Sequence, residues 1–182
     1  EISECDWSSD VCSSDLSTFL VSTLNRINKA LGKSDEDYYR AIAKSMLISC
    51  DNAHAIHPNH PELFDVKNRP VLNKGIAIKE SANQKYTTDA FSRAVLKKIL
   101  DKNNIPYQTF ANRSDIIGGS TLGNLSNTAV SMNAVDIGLP QLAMHSAYET
   151  AGAKDVEYAI EALRAFFETN IDIKDDKVSL EV

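Results

Sequence analysis

The stretch Asp51-Asn52-Ala53-His54-Ala55-Ile56-His57-Pro58-Asn59-His60 is the part of this chain richest in groups that could do chemistry. It holds three of the four histidines, and its acid follows the apolar run Met46-Leu47-Ile48-Ser49-Cys50. The fourth histidine, His145, has a similar setting after Leu139-Pro140-Gln141-Leu142-Ala143-Met144. A carboxylate and an imidazole just past short apolar strands suit a divalent metal held where α/β sheets collect ligands. Asp51 and His145 are therefore candidate ligands of a metal-dependent hydrolase site. The same settings also suit a turn-capping aspartate and a hydrogen-bonded core histidine. His54, His57 and His60 recur every three residues, but Pro58 prevents a helix from continuing past His57, so they read as loop residues rather than a ladder of ligands. Two side chains do not complete a catalytic zinc site, which usually has three protein ligands and a water. Neither an HExxH motif nor paired glutamates supplies a general base. The residues alone indicate part of a metal site.

The elements that must position these groups follow from periodicity. Leu20, Leu24, Ile27 and Leu31 lie on one face of a helix, and Gly32 suits its stop. Ser34-Asp35-Glu36-Asp37 resembles a capping box and opens a second helix through about Lys44. Met46 to Cys50 is a buried strand that delivers Asp51 at its end. Residues 57–74, rich in Pro, Asn and charge, form a long loop of the kind that is often functional. Gly75 to Lys79 is a strand, followed by a polar loop from Glu80 to Tyr86. Thr88 is expected to cap a helix carrying Phe91, Val95 and Ile99. Pro106 begins a short strand from Tyr107 to Phe110.

Asn112 to Gly123 is a Gly/Ser/Thr-rich turn. It lacks the Gly-Lys-Ser/Thr ending of a phosphate-binding loop. It could present N–H groups to an anion, but the favoured reading is a tight turn that lets helix and sheet approach closely. Ala134 to Leu139 is another strand. The last expected element is a helix with Val156, Ile160, Leu163 and Phe167 on one face. Strands alternating with helices define an α/β layered sheet.

Composition narrows the partners. The 182 residues suit one domain, and no run of 18 apolar residues predicts a membrane span. No secretory leader pattern is present at the start, and Cys5, Cys12 and Cys50 show no zinc-type CxxC pair, which fits a reducing cytoplasm. Residues 1–16 hold Glu1, Glu4, Asp6, Asp10 and Asp15 and no base, so most of the net charge of −6 resides there. No basic stripe indicates a nucleic-acid surface. The stretch 1–16, EISECDWSSDVCSSDL, has no helical or strand period and repeats Ser-Ser-Asp. It reads as translated sequencing-adapter read-through, with a natural acidic tail as the alternative. On this reading the domain proper spans residues 17–182.

Four motifs occur in order: SxDNAHAxHPN around Asp51, GxxIKxxxNQxYTT from Gly75 to Thr88, NRSDxxGGSTLG from Asn112 to Gly123, and DxGxPQLAMHSxxE from Asp136 to Glu149. Together they resemble the aspartyl aminopeptidase family of two-zinc, dodecameric exopeptidases, from about Ser17 to near Asn170. The resemblance implies the C-terminal half of a three-layer α/β/α zinc-peptidase catalytic domain with a mixed, mostly parallel sheet. It implies that Asp51 binds one zinc and His145 the other. It places His54, Lys79, Tyr86 and Met144 in the substrate pocket, where a lysine suits an acidic N-terminal side chain. Arg113 and Asp115 would hold the loops under the site. Leu63-Phe64 departs from the Lys-His common among relatives, which puts in doubt only that pair's loop contact.

The family's upstream histidine ligand, bridging aspartate, paired glutamates and dimerisation domain have no counterpart in these residues. No catalytic general base is assigned, and the chain by itself is expected to be inactive. The expected partners are peptides, not nucleic acid or membrane, with a homo-dodecamer for the full-length enzyme. The competing expectation is a non-catalytic relative that keeps the fold as an interaction or structural domain. A nucleotide-binding reading of Gly118 to Thr121 is weaker, for want of the phosphate-loop ending.

Overall fold

A computed structural model describes residues 18–116, 118–174 and 177–181. The stretch 1–16 lies outside the described residues. The chain begins with helices α1 (Phe19–Ala30) and α2 (Asp35–Ala43), followed by strands β1 (Met46–Cys50) and β2 (Ala53–His54). After a long loop containing one 3₁₀ turn (Pro61–Leu63) come β3 (Ile76–Glu80), α3 (Ala90–Lys102), β4 (Tyr107–Ala111) and α4 (Leu122–Ala129). Then follow β5 (Asn133–Gly138), β6 (Pro140–Leu142), β7 (Thr150–Ala151), α5 (Ala153–Glu168), β8 (Asn170–Lys174) and β9 (Lys177–Glu181).

The main sheet has the order β1-β5-β3-β4. β1 runs parallel to β5 and β3 parallel to β4, while β3 is antiparallel to β5. The sheet is therefore mixed, as expected. Alternation along the strands gives it two unlike faces. Ile76, Ile78, Val135 and Ile137 face a core built with Val95, Leu96, Ile99 and Leu100 of α3 and Ala162, Ala165 and Phe166 of α5. Ser49, Ala77, Lys79, Phe110 and Asp136 fall on the other face, under α4 and the loop that carries Tyr86. Helices on both faces make three layers.

Local signals agree with this architecture at most positions. Ser34 and Asp37 form the reciprocal capping box that opens α2. Gly32 ends α1 at a φ of 67°, a conformation that costs glycine little. The cap of α3 differs from expectation. Asp89, not Thr88, is the N-cap: its carboxylate accepts from Ser92 N at 2.7 Å, and Ser92 Oγ accepts from Asp89 N at 3.1 Å. Thr88 is committed elsewhere, its hydroxyl accepting from Asp136 N at 2.9 Å. A cap contributes about 1 kcal/mol. Each fully buried leucine or isoleucine contributes roughly 1.5–3 kcal/mol, so α3 is held chiefly by Leu96, Ile99 and Leu100 rather than by its cap.

The larger correction concerns α5. Val156, Ile160 and Phe167 of the apolar stripe are exposed, Phe167 at 80 %, and Leu163 lies at the boundary, so that stripe is not the buried face. The inward face is Asp155, Tyr158, Ala159, Ala162, Ala165 and Phe166. Small alanines let the helix come close to the sheet. Asp155 must also face inward, because its carboxylate accepts from Asn73 N at 2.6 Å and Gly75 N at 2.9 Å. Those two bonds fasten the end of the 57–74 loop, whose start is tied by Ile56 N to Pro70 O at 2.8 Å. The β8–β9 hairpin was not anticipated, although Ile171, Ile173, Val178 and Leu180 alternate with polar residues as a half-buried strand pair should.

Asp51 is placed by β5. Its N–H donates to Ile137 O at 2.9 Å, and Ala53 N donates to Leu139 O at 2.8 Å. This close approach requires Gly138, since a Cβ there would lie 1.7 Å from the backbone oxygen of Asp51. Backbone cannot give way as a side-chain tip can. Gly138→Ala is expected to destabilise the chain by about 3 kcal/mol, the upper end of the usual overpacking range. Gly119→Ala, with open space around it, should stay within about 0.5 kcal/mol of wild type. Urea denaturation of the two variants checks this; equal midpoints would refute the close-packing account.

Candidate functional site

Five segments bring the chemical groups together. β1 ends at Asp51, β2 carries His54, β3 carries Lys79, and the loop leaving β6 carries Met144 and His145. Tyr86 comes from the loop after β3. All six of these residues line one cavity of about 700 Å³, with Phe110, Thr121, Gly123 and Cys50 among its other walls. β2 and β6 pair in parallel, His54 opposite Gln141, and this pairing brings the His145 loop beside the Asp51 segment. His57 and His60 do not line the cavity. Their ring centres lie 5.3 Å apart at a tilt of 36°, His57 Nδ1 accepts from Asn59 N at 3.2 Å, and His60 Nδ1 lies 3.2 Å from Glu62 Oε1. They support the loop, in line with their sequence reading.

Lys79 is the unusual group. It is 2 % exposed, yet its Nζ lies 3.7 Å from Asp51 Oδ2 and 5.3 Å from the centre of the Tyr86 ring. Burial pushes its pKa below the usual lysine range, and the charges of Asp51 and Asp136 oppose that shift. Burial likewise raises the Tyr86 phenol, against a 3.3 Å hydrogen bond from Asn112 Nδ2. His54 shows an edge to solvent, but its walls desolvate it enough to lower its pKa. The nearby His145 and Lys79 act in the same sense and Asp51 in the opposite one. The cavity thus has a buried cationic floor and an open rim of carboxylate and imidazoles.

The sequence reading missed the groups that build the floor. Asp136 is fully buried in β5, and its Oδ2 accepts from Thr87 N at 2.6 Å and Thr87 Oγ1 at 3.0 Å. This pins the residue next to Tyr86. Its Oδ1 has no hydrogen-bond partner among the described residues. Gly123 lies directly over it: a Cβ there would be 2.9 Å from Asp136 Oδ1 and 2.5 Å from Ser49 Cβ. The Gly123 N–H donates to Ser49 Oγ at 3.0 Å. At Gly123 the glycine-rich turn therefore serves close helix–sheet approach, the favoured reading, and this N–H is not free for an anion. The one signal that could have found Asp136 was an acid inside the apolar run Ala134-Val135-Asp136-Ile137. Arg113 bonds Asp115 and the carbonyl of Glu62, joining the turn to the 57–74 loop.

Comparison with known proteins adds the family. The model of the aminopeptidase I zinc metalloprotease (M18) family matches residues 9–167, reaching into the stretch 1–16. A probable M18 family aminopeptidase 2 from Clostridium novyi (strain NT) is 47 % identical over 151 residues, which is 83 % of this chain and 35 % of that protein. Aspartyl aminopeptidase 1 from Schizosaccharomyces pombe is 42 % identical over 152 residues, 84 % of this chain and 32 % of that one. Among solved structures, the cryo-EM structure of the Ape4 and Nbr1 complex superposes with a TM-score of 0.81 at 42 % identity, covering 84 % of this chain and 29 % of that chain. The S. cerevisiae mApe1 dodecamer superposes with a TM-score of 0.72 at 27 % identity, covering 83 % and 33 %. The fold is similar to part of a metallopeptidase catalytic domain. The chain belongs to the M18 family of zinc aminopeptidases. It spans about a third of the length of the curated relatives it matches.

The family implies zinc, and the donors here can be tested against it. Asp51 and His145 offer a carboxylate and an imidazole to one cavity, which is zinc-type chemistry. Among the described residues no group of three His, Cys, Asp or Glu side chains is arranged to hold a metal. The donor set thus fits two ligands and falls short of a closed site.

The electrostatics predict an asymmetric mutational response. Lys79→Met keeps the volume but leaves the fully buried Asp136 carboxylate without the cation that faces it, so the loss should be about 3–5 kcal/mol. Asp51→Asn leaves the Lys79 ammonium with Asp136 still beside it. Because the Asp51 side chain is 58 % exposed and water screens it, the loss should be only about 1 kcal/mol. Thermal or urea unfolding of both variants checks the order; a Lys79→Met chain as stable as Asp51→Asn would contradict the account.

Proposed function

We propose that this chain is the carboxy-terminal part of a zinc aminopeptidase that removes acidic N-terminal residues, aspartate or glutamate, from peptides. The observation that carries this reading is the buried Lys79 ammonium beneath a rim of Asp51, His54 and His145. A carboxylate side chain entering the cavity meets a cation that has little water to lose, where a charge-assisted contact is strongest. The name of the S. pombe relative, aspartyl aminopeptidase, supports the same preference.

Asp51 and His145 would each hold one of two zinc ions, the remaining ligands coming from the length of the relatives that this chain does not cover. When bound, zinc polarises a peptide carbonyl and acidifies its water. The chain's own residues bind and orient. Lys79 takes the acidic side chain, Tyr86 and Met144 wall the pocket, and His54 stands at its rim. For the whole protein we propose a homo-dodecamer, as in the S. cerevisiae relative, acting in the cytoplasm; no described helix is long and apolar enough to cross a membrane. The domain is taken to start at residue 17, and residues 1–16 to be read-through. Lacking a general-base glutamate, the chain alone is proposed to be inactive.

Two measurements test this. The 182-residue chain with zinc should hydrolyse neither aspartyl- nor glutamyl-4-nitroanilide; zinc-dependent turnover would overturn the inactivity. Calorimetry should show Asp-Ala binding at least about tenfold tighter than Leu-Ala, as expected of one charge-assisted contact. Equal affinities would remove the acidic preference, and the difference should vanish in Lys79→Met.

A further inference from the structure

His145 reaches the cavity through an unusual piece of backbone. In the loop between β6 and β7, Ala143 has a φ of 54° and His145 a φ of 66°. Non-glycine residues rarely adopt this left-handed conformation, and two in three positions need something to hold them. Ser146 N donates to Ala143 O at 3.0 Å and closes the first turn. That bond leaves the His145 amide itself unaccounted for. The His145 N–H donates to Glu149 Oε1 at 2.5 Å. Glu149 is exposed, so this contact is fixed by geometry and charge rather than by enclosure. The geometry has a clear source. Thr150, the next residue, pairs with Leu142 in the β6–β7 ladder, so the backbone that delivers the carboxylate is anchored at both ends of the loop. Tyr148 N to Ser146 Oγ at 3.0 Å braces the intervening bend.

We propose that Glu149 is a positioning residue for His145. Its carboxylate holds the histidine's own amide, keeps the turn left-handed, and so keeps the imidazole in the cavity that Asp51 also lines. The proposal rests on the reading of His145 as a metal ligand. A carboxylate acceptor is stronger than a neutral one. A glutamine keeps an oxygen at the same reach, whereas an aspartate is one methylene shorter and an alanine offers nothing.

The test is NMR on the ¹⁵N-labelled full chain, reading the His145 amide exchange rate and the zinc-dependent shift of its imidazole nitrogens. Glu149→Ala should speed exchange of the His145 amide tenfold or more. It should also raise the zinc concentration at the midpoint of the imidazole shift tenfold or more, with the β3 and β5 amides unmoved. Glu149→Gln should restore most of both, which a general loss of loop structure would not do. Should Glu149→Ala also disturb β3 and β5, the pair Glu149→Gln and Glu149→Asp decides, the first retaining amide protection and the second losing it. Unchanged exchange and midpoint in Glu149→Ala would overturn the proposal. If zinc moves neither His145 nor Asp51 in wild type, the metal reading fails, and amide exchange still decides whether Glu149 holds the turn.

Discussion

The contact of 3.7 Å between the buried Lys79 ammonium and the Asp51 carboxylate sets the terms for the structure around it. A lysine drawn out of water is costly unless charge is arranged to meet it. Here the charge comes from two directions, Asp51 at the end of β1 and Asp136 within β5. Lys79 pairs with Phe110 across β3–β4, and Ser49 with Asp136 across β1–β5, so a single row of side chains crosses the sheet face below the cavity. The rest of that face is shaped to leave this row intact. The first turn of α4 holds Gly123, which has no side chain to strike Ser49 or Asp136, and the Tyr86 loop is hung from Asp136 by Thr87. The opposite face packs the apolar core and carries the fold. The two faces divide the labour between stability and chemistry.

Much of this was legible in the chain itself, for identifiable reasons. Strand ends could be read because β1 and β3 are short apolar runs with sharp polar boundaries, and Asp51 and Lys79 lie at those boundaries. The α2 capping box and the Gly32 stop are local devices that act within a few residues and leave a direct mark. The inner face of α5 was not legible. Val156, Ile160 and Phe167 make the more apolar stripe, yet the alanine stripe was buried, because the helix is held by the hydrogen bonds of Asp155 to a loop some eighty positions earlier. Periodicity sees apolarity and is blind to such distant obligations. The α3 cap failed for the same reason: Thr88 was already bound to Asp136.

At the candidate site the residue types could be read and the support could not. Asp51, His54, Lys79, Tyr86, Met144 and His145 carry chemistry on their faces and are gathered on one cavity. Asp136 and Glu149 act only through what they hold, and a buried acid in a strand resembles a chance polar substitution until its partners are known. The left-handed backbone of Ala143 and His145 is not marked in the sequence by a glycine.

The two walls of the cavity are tied together over very different lengths of chain. Asp51 and Lys79 are separated by the whole of the loop 57–74, whereas His145 and Glu149 are four positions apart. Closing a long loop costs more chain entropy than closing a short one. Local contacts also form earlier and open more independently of the remainder. The histidine wall is therefore an exposed turn that can open by itself, while the lysine wall opens only with the sheet. Gentle loosening of the domain would release the imidazole side of the cavity before it reached the charged floor.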